Sequence, residues 1–223
     1  AIEEALNLLL SNTLLVHQHF RTSGTAQTFT KEMGANFKTW IALFRGVNME
    51  AGQRTLQQIP MGELRAVYTQ MGFKQVRTLH QQGSLVFESS LPRETIDKKM
   101  GDVFAGMHQF RPYIFLYTPE ELNKVFTSNP FEAVEGPFNN PRTISVFFLS
   151  RPPPSPDLDK IKYLQKGSEK SKLWTGDGPP VFYLSSSEAL KKSRLVNNVE
   201  SCLGVTATIR SLRIVDVLLD MAK

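Results

Sequence analysis

The sequence predicts an α+β protein in which two tandem ferredoxin-like β-α-β-β-α-β units follow an N-terminal helical extension. Strand-like and helix-like segments succeed one another in this order from residue 38, and the same order recurs from residue 142. Such a recurrence is typical of an internal duplication. The composition, with 41% hydrophobic and 21% charged residues, is that of a folded globular protein. We therefore expect an extension and linker at 1–37, a first unit at 38–118, a connecting helix and loop at 119–141, and a second unit at 142–223.

The N-terminal extension begins with apolar residues that recur at the spacing of an amphipathic helix, from Ile2 to Leu14. Residues 21–36 are rich in Thr, Gly and Ser and lack periodicity, which indicates a linker. The helix could pad the core, pair with a second copy of the chain as a homodimer, or lie on a membrane surface. The absence of Lys and Arg from residues 1–20 disfavours the membrane.

The first unit opens with the apolar, β-rich segment Thr39–Val47, which predicts a central strand. A long loop leads to a helix, Met61–Met71, which has a proline at its start and Gly72 as its C-cap. Two strands joined by a turn, a second helix opened by Pro92 and a further strand complete the unit. These three strands are expected at Phe73–Leu79, Ser84–Glu88 and Pro112–Tyr117.

Thr118, Pro119 and Glu121 predict the start of the connecting helix, with a threonine cap, a proline in the first position and a capping box closed by glutamate. The second unit then repeats the order of elements and adds a closing helix. Its strands are expected at Thr143–Leu149, Lys172–Thr175, Val181–Leu184 and Thr206–Arg210. Its helices are expected at Asp157–Leu164, at Ser187–Leu203 with a break near Ser193, and at Leu212–Met221.

The topology places candidate binding residues at one edge of the first unit. A right-handed crossover makes the first and second strands of such a unit parallel, so their carboxyl ends emerge at the same edge. That edge carries a loop of about 12 residues, whereas about 2–6 are usual, and extra length on an open edge is often functional. The residues expected to converge there are Arg45, Asn48, Arg54, His80, Gln81 and Ser84. The alternative is that the arginines pair with surface carboxylates.

The second unit carries most of the excess positive charge that gives the chain a net charge of +5. Arg194 follows Ser193 and Lys192 in this basic region, and its side chain is a further candidate for an anion contact. A solvated basic surface is the alternative interpretation of the same charges.

Ordered sequence blocks resemble a known family. The blocks are Ile41–Asn48, Ile59–Arg65, Gly72–Thr78, Gln81–Phe87, Asn129–Phe131, Val146–Ser150, Ser193–Leu195 and Leu203–Val205. Over about residues 38–215 they make the chain similar to the bacterial domain-of-unknown-function family 1697. The resemblance implies a two-part α+β fold and a bacterial cytoplasmic protein, and it implies no reaction.

Three departures from the family pattern alter any shared ligand site. Glu and Ala occupy residues 50–51, where the family usually has two glycines. Residues 81–84 read Gln-Gln-Gly-Ser instead of Gln-Ser-Gly-Asn, and residues 210–212 read Arg-Ser-Leu instead of Arg-Asn-Trp.

No catalytic or metal-binding pattern is recognisable in the sequence. Cys202, the single cysteine, lies among apolar residues, which favours a buried inert thiol, and the lack of a disulfide partner suits a reducing compartment. The four histidines lack the spacing of a zinc site, and no Gly-x-Ser-x-Gly elbow occurs. Pro179 and Pro180 remove the amide donors that a phosphate loop after Gly176 would need. We therefore expect no cofactor and no metal.

The function expected from these observations is a cytoplasmic binding protein for a small anionic or polar ligand at the edge described above. No apolar run reaches the about 18 residues of a membrane span. One alternative is an RNA- or DNA-binding module that stacks bases on Phe44 and Phe87, and this alternative fails if both rings face the helices. Another alternative is an uncharacterised enzyme.

Overall fold

The computed structural model describes residues 36–47, 59–79, 83–108, 110–131, 144–167, 169–186 and 192–223. Within these ranges the chain forms eight strands and six α-helices. The first unit consists of β1 (Lys38–Arg45), α1 (Met61–Gln70), β2 (Lys74–Leu79), β3 (Ser84–Ser89), α2 (Arg93–His108) and β4 (Tyr113–Tyr117). A connecting helix, α3 (Pro119–Thr127), follows. The second unit consists of β5 (Ile144–Leu149), α4 (Leu158–Leu164), β6 (Lys170–Trp174), β7 (Val181–Ser185), α5 (Val199–Leu203), β8 (Ala207–Ser211) and the closing α6 (Leu212–Met221). The predicted N-terminal helix lies outside the described residues.

The strands form two four-stranded sheets with the same topology. The first sheet has the order β2-β3-β1-β4 and the second the order β6-β7-β5-β8, and every neighbouring pair is antiparallel. Because β1 and β2 are both antiparallel to β3, they run parallel to each other, as the crossover rule predicts. The predicted α+β fold with two tandem ferredoxin-like units is confirmed.

Local sequence signals set several ends of these elements. Thr118 Oγ1 accepts a hydrogen bond from the backbone N–H of Glu121 (3.3 Å), and the Glu121 carboxylate accepts one from the backbone N–H of Thr118 (2.9 Å). Ser211 caps α6 in a similar way, since its hydroxyl accepts from the backbone N–H of Ile214. Gly204 ends α5 with φ of 65°, a conformation that costs glycine little.

One described helix is shorter than the sequence predicts. Within the expected range Ser187–Leu203, the described part contains a 3₁₀ turn at Val196–Asn198 and then α5, while residues 187–191 lie outside the described ranges. The Ser193 hydroxyl accepts a hydrogen bond from the backbone N–H of Val196 (3.3 Å). Such a side-chain bond competes with a continuous helix, and it lies where the break is expected.

Each sheet is buried on both faces. One face of the first sheet packs against α1 and α2, and one face of the second packs against α4 and α5. The two remaining faces share a third core with α3 and α6. Burial on both faces explains why β1 contains the unbroken apolar run Trp40–Phe44 and why β5 is apolar at nearly every position.

Phe44 and Phe87 both belong to the helix-facing core of the first unit. The ring of Phe44 stacks on Tyr68 and Phe104, with centroids 6.1 and 5.8 Å away, and that of Phe87 stacks on Phe73 at 4.7 Å. The rings therefore face the helices, so stacking of nucleobases on them is ruled out.

Hydrogen-bond register relates the two units residue by residue. The backbone N–H of Phe44 donates to Gly83 O (2.9 Å), and that of Leu149 donates to Pro180 O (3.0 Å). Ile41, three residues before Phe44 in β1, pairs with Tyr117. Val146, three residues before Leu149 in β5, pairs with Arg210. Arg210 thus occupies in the second unit the position that Tyr117 occupies in the first.

Candidate functional site

The last strand of the second unit lies against the end of β1 and the hairpin that precedes β3. We call this junction the arginine seam and define it by Arg45, Gly83, Ser84, Glu200 and Arg210. Its centre is the guanidinium of Arg210, which is 4% exposed. Among the described residues, this guanidinium donates to Ser84 Oγ (3.0 Å), Thr208 Oγ1 (3.0 Å) and the backbone oxygens of Phe44 (3.1 Å), Gly83 (3.1 Å) and Ile209 (2.6 Å).

Burial in the seam lowers the pKa of Arg210 to about 10, because the low-dielectric surroundings disfavour its charged form. The guanidinium is therefore still protonated at neutral pH. Carbonyl and hydroxyl oxygens stabilise this charge through the negative ends of their dipoles. The seam consequently holds a fixed positive charge inside the junction of the two units.

Arg45 lies at the carboxyl end of β1 and is clamped by Glu200 of α5. Its Nε and Nη2 donate to the two carboxylate oxygens of Glu200 at 2.9 and 2.7 Å, a bidentate pair. Nε also donates to Ala207 O (3.1 Å), and Glu200 Oε1 accepts from the backbone N–H of Ala207 (2.7 Å). Bidentate geometry holds a guanidinium in one orientation. About a third of the Arg45 side chain, 36%, nevertheless remains exposed.

The structure brings together two of the residues expected at this edge. Arg45 and Ser84 both lie in the arginine seam, where Ser84 is buried and accepts from Arg210 while Arg45 reaches the surface. The expected site residues Asn48, Arg54, His80 and Gln81 lie outside the described residues. The ion pair with Glu200 is also what the alternative interpretation of Arg45, a surface pair with a carboxylate, would produce.

Arg194 lies at a different place in the fold. It is exposed in the segment before α5, with its guanidinium carbon 5.6 Å from the ring centroid of Tyr163 on α4. Its backbone oxygen accepts a hydrogen bond from the side chain of Asn198 (2.8 Å). The contacts of Arg194 therefore tie it to its own unit rather than to the arginine seam.

Sequence reasoning missed Arg210 and Glu200 as parts of this site. The available signal was an arginine within the strand β8, a position where a buried charge must find several acceptors. Its acceptor Ser84 lies 126 positions earlier in the chain, and Glu200 lies 155 positions after Arg45. Such partners become visible only when the packing of the two units is known.

The remaining chemistry of the described residues is sparse. Cys202 is buried, as expected, and burial raises the pKa of its thiol, which disfavours the nucleophilic thiolate. Within the described ranges, no three His, Cys, Asp or Glu side chains come together as a group that could hold a metal ion. The described helices are also all too short or too polar to cross a bilayer.

Fold and site together define a two-unit ferredoxin-like protein with a charged junction between the units. The family model described as "Protein of unknown function (DUF1697)" matches residues 37–177. The chain belongs to this family. The structure is similar to that of a conserved bacterial protein from Streptococcus pneumoniae, with a TM-score of 0.59 and 19% identity over 84% of this chain and 100% of the other. At this identity the likeness shows the fold alone. None of the curated proteins matches the chain.

Proposed function

We propose that this protein is a cytoplasmic binding protein for a small anionic ligand, which it holds at the surface of the arginine seam through Arg45. The observation that carries the proposal is a guanidinium that is oriented by the protein and still partly open to solvent. Nε and Nη2 of Arg45 bond to Glu200, whereas Nη1 donates no hydrogen bond to any part of the chain that the structure describes. An oriented guanidinium with free N–H groups is well suited to carboxylate or phosphate.

The local charge supports the same conclusion. Glu200 balances one of the two arginines of the seam, so the junction keeps one net positive charge from Arg45 and Arg210. Arg210 lies too deep to contact a ligand directly, but its charge adds to the potential at the surface. The single cysteine, which is free and buried, suits a reducing compartment.

A thermal-shift experiment at low salt tests the proposal with inorganic phosphate, citrate and nucleoside monophosphates. A ligand at a hundredfold excess over its Kd stabilises the folded state by about 2.7 kcal/mol, which shifts the melting temperature measurably. The expected result is a shift for wild type that is lost in Arg45→Gln.

Arg93→Gln is the matched control for this variant. Arg93 forms a comparable ion pair with Glu121, at 2.6 Å with side chains 39% and 35% exposed, but lies outside the seam. This control should keep the ligand-induced shift. An equal shift in wild type and Arg45→Gln, or no shift with any of these anions, would contradict the proposal.

A further inference from the structure

A groove of about 530 Å³ opens along β4, at the junction that corresponds to the arginine seam in the repeated topology. Its floor is the outer side of β4, and one wall is the start of α2 with Arg93 and Glu94. The other wall is formed by residues 149–150 at the end of β5 and by residues 178–180 before β7. Ligand sites in proteins have volumes of about 300–1,000 Å³, so the groove is large enough for a short segment of chain.

The floor of the groove is one edge of the first sheet. β4 is the last strand of its sheet and pairs with β1 on one side, within the residues that the structure describes. The N–H of Phe44 points to Gly83, on the side of β1 that faces β3. Phe44 and its β4 partner Ile114 therefore form a non-hydrogen-bonded pair of the β1–β4 ladder. The N–H and C=O groups of Ile114 and Leu116 therefore point outward. The hydrogen bond from Arg93 Nη1 to Leu116 O (2.6 Å) agrees with this direction.

In the arginine seam, the equivalent outward N–H and C=O groups of β8 are hydrogen-bonded to side chains. Ala207 of β8 is the register equivalent of Ile114, because it pairs with the β5 residue equivalent to Phe44. Its N–H bonds to Glu200 and its C=O to Arg45. At the edge of β4 the residue equivalent to Arg45 is Ser150 of the second unit, whose short side chain does not extend as far. Within the part of the chain that the structure describes, the N–H and C=O of Ile114 thus stay uncapped where those of Ala207 are capped.

The rim of the groove is acidic although the whole chain carries a net charge of +5. Of the described residues that line it, Glu94, Asp97 and Glu121 are acidic, and Arg93 is basic and paired with Glu121. Asp97 has Arg111 at 3.7 Å, and Glu94 is exposed. Tyr113, 45% exposed at the start of β4, adds an aromatic face that can interact with a cation.

The wall opposite α2 is held in place by two contacts. Lys124 of α3 forms an ion pair with Asp177 (2.8 Å). The ring of Trp174 packs so closely on the turn that a Cβ at Gly176 or Gly178 would lie 3.0 Å from it. A preformed wall reduces the ordering cost of binding.

We propose that this groove binds an extended peptide segment of a partner protein, which adds to β4 as a further strand and places a basic side chain beside Glu94. Main-chain hydrogen bonds to the N–H and C=O of Ile114 and to the N–H of Leu116 supply affinity, as in other cases of strand addition to an open sheet edge. The acidic rim selects basic over acidic sequences. This site does not depend on the anion site at the arginine seam.

An amide NMR titration of the whole protein tests the proposal with two synthetic hexapeptides. One is acetyl-Thr-Val-Arg-Val-Thr-Val-amide and the other has Glu in place of Arg. The basic peptide should shift the amide signals of Ile114 and Leu116 in a saturable way, and the acidic peptide should bind about tenfold more weakly or not at all. Equal binding of the two peptides, or binding of neither, would overturn the proposal.

Glu94→Lys should weaken binding of the basic peptide by about fivefold to tenfold, while Asp216→Lys, the same charge change at an exposed position of α6, should leave it unchanged.

Two further peptides test the strand pairing. In one, the backbone nitrogens along one edge of the peptide strand are methylated, and in the other, those along the opposite edge are methylated. One of them should lose binding and the other keep it, since an added strand pairs through one edge. If both bind equally, strand addition is wrong. If the signals of Ile114 and Leu116 shift with protein concentration alone, a second copy of this chain fills the groove and the proposal is also wrong.

Discussion

The arginine seam and its counterpart in the repeat occupy equivalent positions in the topology and are filled by opposite chemistry. In the arginine seam, Arg210 meets Ser84, and both side chains are buried in a network of hydrogen bonds. At the equivalent positions the counterpart has Tyr117 and Val181, both buried in the apolar core between the sheets. We call this second junction the tyrosine seam and define it by Tyr117, Ser150, Pro180 and Val181.

The difference shows how a duplicated fold acquires two kinds of surface. A buried cation with backbone acceptors, together with the Arg45–Glu200 clamp, closes the edge of β8 with polar groups. At the tyrosine seam, Tyr117 and Val181 are also buried in the core, but the edge of β4 lines the groove. Substitutions at equivalent positions should therefore have unequal effects.

The largest difference is expected between Arg210→Met and Tyr117→Phe. Methionine retains much of the arginine stem but removes the charge-assisted hydrogen bonds to the oxygens of Phe44, Gly83 and Ser84, which should cost about 3–5 kcal/mol of the free energy of unfolding. Loss of the Tyr117 hydroxyl should cost no more than about 1 kcal/mol. Urea unfolding of both variants measures the two effects. Equal losses would mean that Arg210 acts through packing alone.

Gly83 provides a second contrast, because Pro180 stands at its equivalent position. Gly83 has φ of 62°, and an added Cβ would lie 3.2 Å from Phe44 Cβ and 3.3 Å from Val47. Gly83→Ala should therefore lower the free energy of unfolding by about 1–3 kcal/mol. The control is Gly62→Ala in α1, where a Cβ meets nothing within 4 Å and where alanine should stabilise by about 0.4–1 kcal/mol. An unchanged free energy of unfolding in Gly83→Ala would show that the backbone around Gly83 can relax.

The two seams should also differ in how they affect the free energy of unfolding at alkaline pH. Burial raises the pKa of Tyr117 above its usual 10.0, so above pH 10 the unfolded chain loses this proton while the folded chain keeps it. Tyr117 thus contributes stability below pH 10 that is progressively lost at higher pH. Relative to wild type, Tyr117→Phe should gain about 1.4 kcal/mol per pH unit above pH 10. Urea unfolding at pH 8, 10 and 11 measures the gain, and a constant difference between the two proteins would contradict the account.

Arg210 titrates in the opposite sense. Its pKa is lowered to about 10 in the folded protein, so the cost of burying its charge is fully present below that pH and decreases as the pH rises further. The tyrosine and the arginine at equivalent positions therefore have opposing effects on stability at alkaline pH.

The smallest effect is expected for the two ion pairs. Arg45→Gln and Arg93→Gln should each lower the free energy of unfolding by about 0.2–1 kcal/mol, since both pairs are about one-third or more exposed and screened by solvent. Thermal unfolding at low and at high salt measures this, and the losses should be smaller at high salt. A loss of several kcal/mol in Arg45→Gln alone would show that the clamp holds the two units together.

The sequence predicted the elements of the fold well because their signals are local. The capping residues around Thr118, the glycine that ends α5 and the apolar periodicity of α6 all act within a few residues, and α6 has the predicted bounds, Leu212–Met221. The shortened helix before Gly204 was harder to predict, because the hydroxyl of Ser193 competes with the helical backbone there.

The candidate site could be predicted only in part. Parallel strand ends predict that Arg45 and Ser84 lie at the same edge, a consequence of topology within one unit. The partners of these residues, Glu200 and Arg210, come from the other unit. The open edge of β4 was missed for the same reason, since strand pairing and packing between units decide which edge stays accessible.

The most direct test of the anion site follows the Arg45 side chain itself by NMR. Its Nε–H signal should be resolved because the hydrogen bonds to Glu200 and Ala207 fix the group. During a titration with the anion that stabilises the protein best, at constant ionic strength, we expect a saturable shift of this signal and no shift of the corresponding signal of Arg93. Parallel shifts of both arginines, or a stationary Arg45 signal at saturation, would contradict the proposed function.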